Sequence, residues 1–379
     1  MKKMKYALIG CGKVAAKHLK AALYQCRKLN TIEIAALVDT REGAAEDLMD
    51  SVGVPKRLRT GIRVYKDYAQ MLEEVKPDLT AITTPSGSHA VIGLKAIAAG
   101  SHILLEKPLT LSLAEADQLL AAANEKSLQI AVGHIYRFFP VVQQLQADLA
   151  VGKFGQILYG DVKVRWGHDQ SYYDQAAWRG TWTNDGGALM NQSIHALDLM
   201  IWLLGKPALT VNGRVDRQIH RMQAEDLGFA TLQLADGIWC QLEGTTNTDP
   251  ERQEASFFVR CTEGELRAGI MAGRPRIEVI DADGRDVSGR YMRRFIGQKL
   301  REGGLGALKQ LTNPHSGLYS DWIQAAAAGR SPIADGASGR QAVEMVLAIY
   351  KSALLGRQVE LPLTDFKLEQ MAGYFPEQL

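Results

Sequence analysis

Apolar residues in the first third of the chain fall into two textures, short near-continuous runs and longer stretches in which they recur every three to four positions. Residues 6–10, 32–39, 79–84, 102–106 and 129–133 are of the first kind and predict strands, while 14–29 is of the second and predicts a helix. Strands that are apolar on both faces must be covered on both faces, so their alternation with helices predicts a parallel sheet. Beyond about residue 155 the pattern changes. Residues 157–166, 209–215, 228–234, 238–244, 255–261 and 276–280 predict strands, and the pairs Asp236-Gly237, Glu263-Gly264 and Asp283-Gly284 favour antiparallel hairpins. A closing helix over about 339–355 stops at Gly356. The expected architecture is α/β: an N-terminal parallel-sheet domain over residues 1–135, then an α+β domain over 136–379 with a large, mostly antiparallel sheet.

Composition narrows the function classes. The chain has 379 residues, 46% hydrophobic and 23% charged, the balance of a globular protein of two domains. Lysine and arginine number 44 against 42 acidic residues, a formal charge of +2, so no broad basic face for nucleic acid is expected. Cys11, Cys26, Cys240 and Cys261 form no C-x-x-C pair and read as reduced thiols of a cytoplasmic protein. Lys2 and Lys3 ahead of Leu8-Ile9-Gly10-Cys11 mimic a lipoprotein signal, but the apolar core between them is too short. The densest apolar stretch, 199–204, ends at Gly205-Lys206-Pro207 and cannot span a bilayer. A small-molecule partner is expected.

Three motifs carry candidate chemistry. Gly10-Cys11-Gly12-Lys13-Val14-Ala15 fits G-x-G-x-x-A between the first strand and the first helix. There the first glycine permits the turn, the second admits a pyrophosphate, and the helix N-terminus faces its charge. Asp39, ending the second strand, suits a ribose 2′-hydroxyl and repels a 2′-phosphate, which favours NAD over NADP; Arg41 two residues later pulls the other way. Glu106-Lys107-Pro108 closes the fourth apolar run, where ligands of parallel sheets bind. A lysine beside a cationic nicotinamide ring has its ammonium form disfavoured, which suits proton transfer. Thr84, Pro85, Ser88 and His89 hold the equivalent place after the preceding strand and are expected to edge the cofactor, with His89 equally readable as a cap. Finally, Asp185-Gly186-Gly187 leads into an apolar helix on which Asn191, His195 and Asp198 share one face. Three polar side chains buried together cost several kcal/mol unless they bond one another or a ligand. No zinc-type histidine or cysteine spacing is present, so no metal is expected.

Together these motifs resemble the GFO/IDH/MocA family of pyridine-nucleotide oxidoreductases, over essentially the whole chain down to Val359-Glu360-Leu361-Pro362. The resemblance implies a Rossmann domain, NAD as cofactor, and Lys107 and His195 as the catalytic pair. It also implies Gly10, Gly12, Lys13, Val14, Asp39, Thr84, Pro85, Ser88, His89, Glu106 and Lys107 around the cofactor. Many members carry aspartate where this chain has Asn191. Tyr172-Tyr173-Asp174, Trp178-Arg179-Gly180, Trp182, Asp185-Gly186-Gly187-Ala188 and Met190-Asn191-Gln192 are similar to the UDP-N-acetylglucosaminuronate 3-dehydrogenase branch, as are Ala224-Glu225-Asp226 and Gly317-Leu318-Tyr319. That branch implies C3 oxidation of a nucleotide-linked sugar acid and a homotetramer.

The expected reaction is hydride transfer from a ring carbinol, with His195 the preferred base and Lys107 the alternative. Asn191 would orient the sugar together with Lys107 and His195, and Tyr173, Trp178 and Arg179 are candidates for substrate contact, equally readable as a packed loop. A dehydrogenase of a free sugar, inositol or glycoside, an NAD-dependent glycosidase, and a non-catalytic cofactor sensor are the rivals. The basic run 290–301 reads as a solvated face or a phosphate contact.

Overall fold

The computed structural model describes residues 3–294, 296–297, 313–364 and 366–376. Contacts divide the chain into two units. The first comprises Met1–Phe138 with the described part of Lys309–Arg340, and the second comprises the described residues of Phe139–Leu308 and Gln341–Leu379.

In the first unit the near-continuous apolar runs become β1 (Met4–Ile9), β2 (Ile32–Val38), β4 (Leu79–Ile82), β5 (His102–Leu105) and β6 (Ile130–Val132). A short strand not foreseen, β3 (Arg63–Tyr65), joins at one edge. All pair in parallel, in the order β3-β2-β1-β4-β5-β6. The order reverses between β1 and β4, the switch point where a crevice opens beyond the strands' carboxyl ends. The expected helix runs Ala15–Tyr24 and continues as a π-helical turn over Gln25–Leu29.

The division 1–135 and 136–379 lacks one element that the first unit contains. Helix His315–Ala328 returns to the first unit's core, where Tyr319 and Trp322 are fully buried against Tyr6. Its apolar residues could as well have served a second-unit helix, so pattern alone does not assign it.

The second unit is built on an eight-stranded sheet, β13-β12-β11-β7-β10-β9-β8-β14. Its members are β7 (Ile157–Arg165), β8 (Ala208–Asp216), β9 (Leu227–Leu234), β10 (Trp239–Thr245), β11 (Glu254–Cys261), β12 (Gly264–Met271), β13 (Arg274–Ile280) and β14 (Val359–Glu360). Every pair is antiparallel except β7–β10. The strands alternate: Val162, Val164, Leu242, Ala230, Leu232, Phe257 and Val259 are buried, while Tyr159, Trp239 and Phe229 on the opposite face are about half exposed. Helix Ile194–Leu204 lies on the buried face. Glycines make its approach close. A Cβ on Gly160 would sit 3.0 Å from Met200 Sδ, and one on Gly228 or Gly244 would sit 2.7 Å from a Leu189 methyl. No helix among the described residues is long and apolar enough to cross a membrane.

Trp322→Ala is expected to remove about 3–5 kcal/mol of stability, measured by urea denaturation. A loss under 1 kcal/mol would show that the returning helix does not belong to the first unit's core.

Candidate functional site

The glycine loop lies at the carboxyl end of β1. Gly10 has φ +93°, a left-handed conformation, and a Cβ there would press within 2.9 Å of the Thr83 backbone. Gly12 is the reverse case: a Cβ would meet nothing within 4 Å, so the loop borders open space in front of the helix that begins at Ala15. Lys13 is exposed and Val14 half-buried at that helix's start. Asp39 is tied to the same loop, its carboxylate accepting from Cys11 N–H at 2.7 Å and Arg41 N–H at 2.8 Å. A cradle open at Gly12, a helix N-terminus and a carboxylate locked alongside fit the pyrophosphate and ribose of NAD. The Arg41 side chain is 70% exposed, with Nε 3.9 Å from Asp39.

The other cofactor candidates follow β4 and β5. Thr83 Oγ1 donates to Gly10 O at 2.6 Å, joining the two loops, and Ser88 Oγ bonds Thr84 Oγ1 at 2.7 Å beside Pro85. His89 is buried, its ring nitrogens 2.9 Å from Pro108 O and 3.0 Å from Thr84 O. It staples the β4 loop to the loop of Lys107. Lys107 is half-buried at the end of β5. The Glu106 carboxylate turns inward, taking His18 Nε2 at 2.7 Å and the Lys107 N–H at 3.2 Å.

In the second unit, Gly186 (φ +74°) and Gly187 lead into a π-helical turn, Leu189–Ser193, and then the helix that carries His195. Beneath it lies Glu225. A Cβ on Gly187 would fall 2.2 Å from Glu225 Oε2, so only glycine fits. Glu225 Oε1 accepts from Leu189 N–H and the Tyr350 hydroxyl, each at 2.8 Å, while Oε2 is buried without a partner. Burial raises this carboxyl to about 8, although the two donors favour its charged form. It is an acid kept neutral beneath the helix start.

Asn191 is bonded to Asp185, the aspartate of the D-G-G motif, whose other oxygen accepts Gly180 N–H at 2.9 Å. Gln192 Nε2 reaches Asn191 Oδ1 and His168 Nε2, each at 3.1 Å. The His168 ring stacks on Tyr172 at 3.8 Å and 4°, and Arg179 Cζ sits 4.2 Å over Tyr172 and 4.9 Å over Trp178. Asp185, Asn191, Gln192, His168, Tyr172, Trp178 and Arg179 thus make one continuous set. Arg179 forms no ion pair among the described residues, and its Nε is buried without a hydrogen-bond partner. A partly buried guanidinium without an ion pair has the chemistry to take a carboxylate or phosphate.

Tyr173 departs from its expected role. Its ring is 8% exposed and its hydroxyl bonds Thr246 at 2.9 Å, so it packs the interior, and Tyr172 provides the aromatic face instead. In consecutive tyrosines of a short helix only one can face outward. Asp198 is buried. Asp226, His168, Gln192 and Asp185 were missed as site residues. Asp226 accepts the N–H groups of Gln218, Ile219 and His220 at 2.9 Å each. Burial opposes its charge, but the His220 ring and these donors outweigh it and hold the carboxyl far below the usual range. Through His220, whose Nε2 lies 2.8 Å from His168 O, it fixes the stacked histidine. Asp185, Gln192 and Asp226 stand in motifs that the sequence singles out, whereas His168 gave no signal. Of the basic run 290–301, Arg290 and Arg294 line a cleft of about 240 Å³ with Lys153 and Tyr291, and residues 295 and 298–301 lie outside the described residues.

Two family models match the chain. The oxidoreductase family model with an NAD-binding Rossmann fold, GFO/IDH/MocA, matches residues 4–134, and the GFO/IDH/MocA C-terminal domain model matches residues 142–267. The D-glucoside 3-dehydrogenase of Escherichia coli K12 is 26% identical, covering 94% of this chain and 97% of its own. The WlbA dehydrogenase from Bordetella pertussis, solved with NADH and UDP-GlcNAcA, is 28% identical with a TM-score of 0.82, covering 96% of this chain and 99% of its own. Its counterpart from Chromobacterium violaceum, solved with the same ligands, is 28% identical with a TM-score of 0.81 over 96% and 98%.

The neutral Glu225 gives the helix start a pH signature. Stability from a raised carboxyl is complete below its unfolded value near 4.5 and falls as pH rises through about 8. The slope is up to about 1.4 kcal/mol per pH unit. Glu225→Gln keeps an acceptor for Leu189 and Tyr350 and cannot ionise. Its melting temperature relative to wild type is therefore expected to climb between pH 5 and 8 in scanning calorimetry. A constant difference would refute a neutral Glu225.

Proposed function

The chain belongs to the GFO/IDH/MocA family and is an NAD-dependent oxidoreductase of the sugar type, and on that premise we propose that it oxidises a pyranose ring hydroxyl, at C3, of an acidic or nucleotide-linked sugar. The observation that carries this is Arg179, a guanidinium 4.2 Å from the Tyr172 ring centre and 4.9 Å from that of Trp178, with no ion pair among the described residues. Aromatic faces suit a sugar ring, and an unpaired guanidinium suits the carboxylate or phosphate of its substituent. Bound NAD supplies the hydride acceptor. The chain's own part is to hold the dinucleotide on the Gly10–Gly12 loop and Asp39 and to move one proton. His195 takes the proton of the reacting hydroxyl, and Lys107 stabilises the oxygen as charge develops. Asn191, fixed by Asp185, directs a neutral amide at the sugar.

The B. pertussis and C. violaceum structures with UDP-GlcNAcA support an acidic substrate, and the E. coli glucoside enzyme supports oxidation at C3. Four free cysteines, two of them fully interior on the second sheet, fit a cytoplasmic setting. The half-exposed Tyr159, Phe229 and Trp239 on the sheet's open face support a homo-oligomer, a tetramer as in the resembling branch.

Lys107→Ala and His195→Ala are each expected to abolish NADH formation while NAD affinity stays within a few-fold. Arg179→Gln is expected to raise KM about 10–100-fold for acidic or nucleotide-linked sugars, the worth of a charged hydrogen bond, and to leave neutral glucosides within threefold. The check is an absorbance screen at 340 nm over both substrate classes. Faster turnover of neutral sugars, unaffected by Arg179→Gln, would assign the free-sugar class. Aglycone release without net NADH would assign a glycosidase.

A further inference from the structure

Five polar side chains of the first unit form a buried cluster, and it includes Glu106, which the family resemblance sets around the cofactor but whose carboxylate is turned inward. Tyr6, His18 and Tyr319 are fully buried, and Glu106 and His315 are at most 7% exposed. The hydrogen bonds run in series: Tyr6 and Tyr319 hydroxyls at 2.8 Å, Tyr319 to His18 Nδ1 at 3.1 Å, His18 Nε2 to Glu106 Oε1 at 2.7 Å. Glu106 Oε2 then accepts the Lys107 N–H at 3.2 Å. His315 Nε2 closes in at 3.8 Å from Glu106 Oε1, its other nitrogen held by Asn313 Oδ1 at 3.0 Å. Two histidines and a carboxylate are metal ligands elsewhere, yet 2.7 Å is a hydrogen bond. Two ligands at about 2.0–2.1 Å around one tetrahedral zinc stand about 3.3 Å apart.

The geometry identifies what the cluster connects. His18 stands on the helix that opens from the glycine loop, Glu106 ends β5 immediately before Lys107, and His315 and Tyr319 come from the returning helix. The backbone makes room for the carboxylate, since a Cβ on Gly133 would lie 3.0 Å from Glu106 Oε1. Both carboxylate oxygens act as acceptors at once, one toward the dinucleotide helix and one toward the lysine's own N–H. We propose that Glu106, held by His18, is a positioning residue that keeps Lys107 in register with the dinucleotide-binding helix. This rests on the dehydrogenase role of Lys107. An amide in place of the carboxylate offers one acceptor where two are needed, and it removes the charge that the two imidazoles stabilise against burial.

Glu106→Gln and His18→Ala are expected to lower kcat about 10–100-fold with sugar KM and NAD Kd within threefold. His18→Gln, which restores a donor toward Glu106, should recover most of the loss. A second readout needs no substrate: the ¹³C resonance of reductively methylated Lys107, assigned by its loss in Lys107→Arg, should shift in Glu106→Gln and His18→Ala and return in His18→Gln. Wild-type kcat with an unmoved Lys107 resonance would overturn the proposal, as would an equal loss in His18→Ala and His18→Gln. If Glu106→Gln does not fold, the His18 pair decides alone. If wild type oxidises no sugar, the dehydrogenase reading fails, and the resonance still tests the tie between Glu106 and Lys107.

Discussion

Burying a carboxyl group costs several kcal/mol unless its oxygens meet donors or it gives up its charge. Each unit of this chain arranges a site-bearing segment around that requirement, and the two solve it differently. Glu106 remains an anion because His18 and His315 face it and the Lys107 N–H completes its shell. Glu225 has two donors on one oxygen and none on the other, and it stays protonated to about pH 8. The first solution fixes a strand end, the second a helix start. Gly133 and Gly187 are both placed where a side chain would collide with the acid. At Gly187 the Glu225 backbone oxygen, 2.1 Å from an added Cβ, imposes the same restriction.

The second sheet adds a further constraint. Its buried face must admit a helix that is apolar nearly all round, and Gly160, Gly228 and Gly244 lower the floor beneath it. The π-helical turn over Leu189–Ser193 inserts at the point where the helix passes over Glu225. Such turns concentrate at functional sites because the widened turn re-aims side chains. Here the residues concerned are Asn191 and Gln192, both bonded into the set that ends at Arg179.

Much of this was legible in the pattern of residues, for reasons of period and length. Strands apolar on both faces announce themselves, and 32–39 was realised as Ile32–Val38. The glycine loop and Asp39 were legible because phosphate binding demands a backbone shape that few residues permit. β12 was not, since Gly264 and Gly269 interrupt its alternation at φ values of +154° and +142°. β3 and β14 are too short to show a period. The return of helix His315–Ala328 to the first unit depends on contacts some 300 residues apart, Tyr6 with Tyr319 and His18 with Tyr319, which no local pattern encodes. The interchange of Tyr172 and Tyr173 has the same origin: two identical neighbours differ only in which way a short helix is rolled.

Asn191 shows how a single buried partner dictates chemistry. Its amide nitrogen bonds Asp185 Oδ1, and Asp185 is itself 2% exposed, with its second oxygen already accepting Gly180 N–H. An aspartate at 191 would set two carboxyl groups in hydrogen-bond contact, and both could not ionise. One would hold a proton, and the pair would present a titrating charge beside His195. The amide removes that conflict. It binds Asp185 without a proton to share, while Arg179, set over the Tyr172 and Trp178 rings, keeps a buried Nε without a hydrogen-bond partner. A neutral residue at 191 and an Arg179 without an ion pair among the described residues are the two features on which the proposal of an anionic sugar rests.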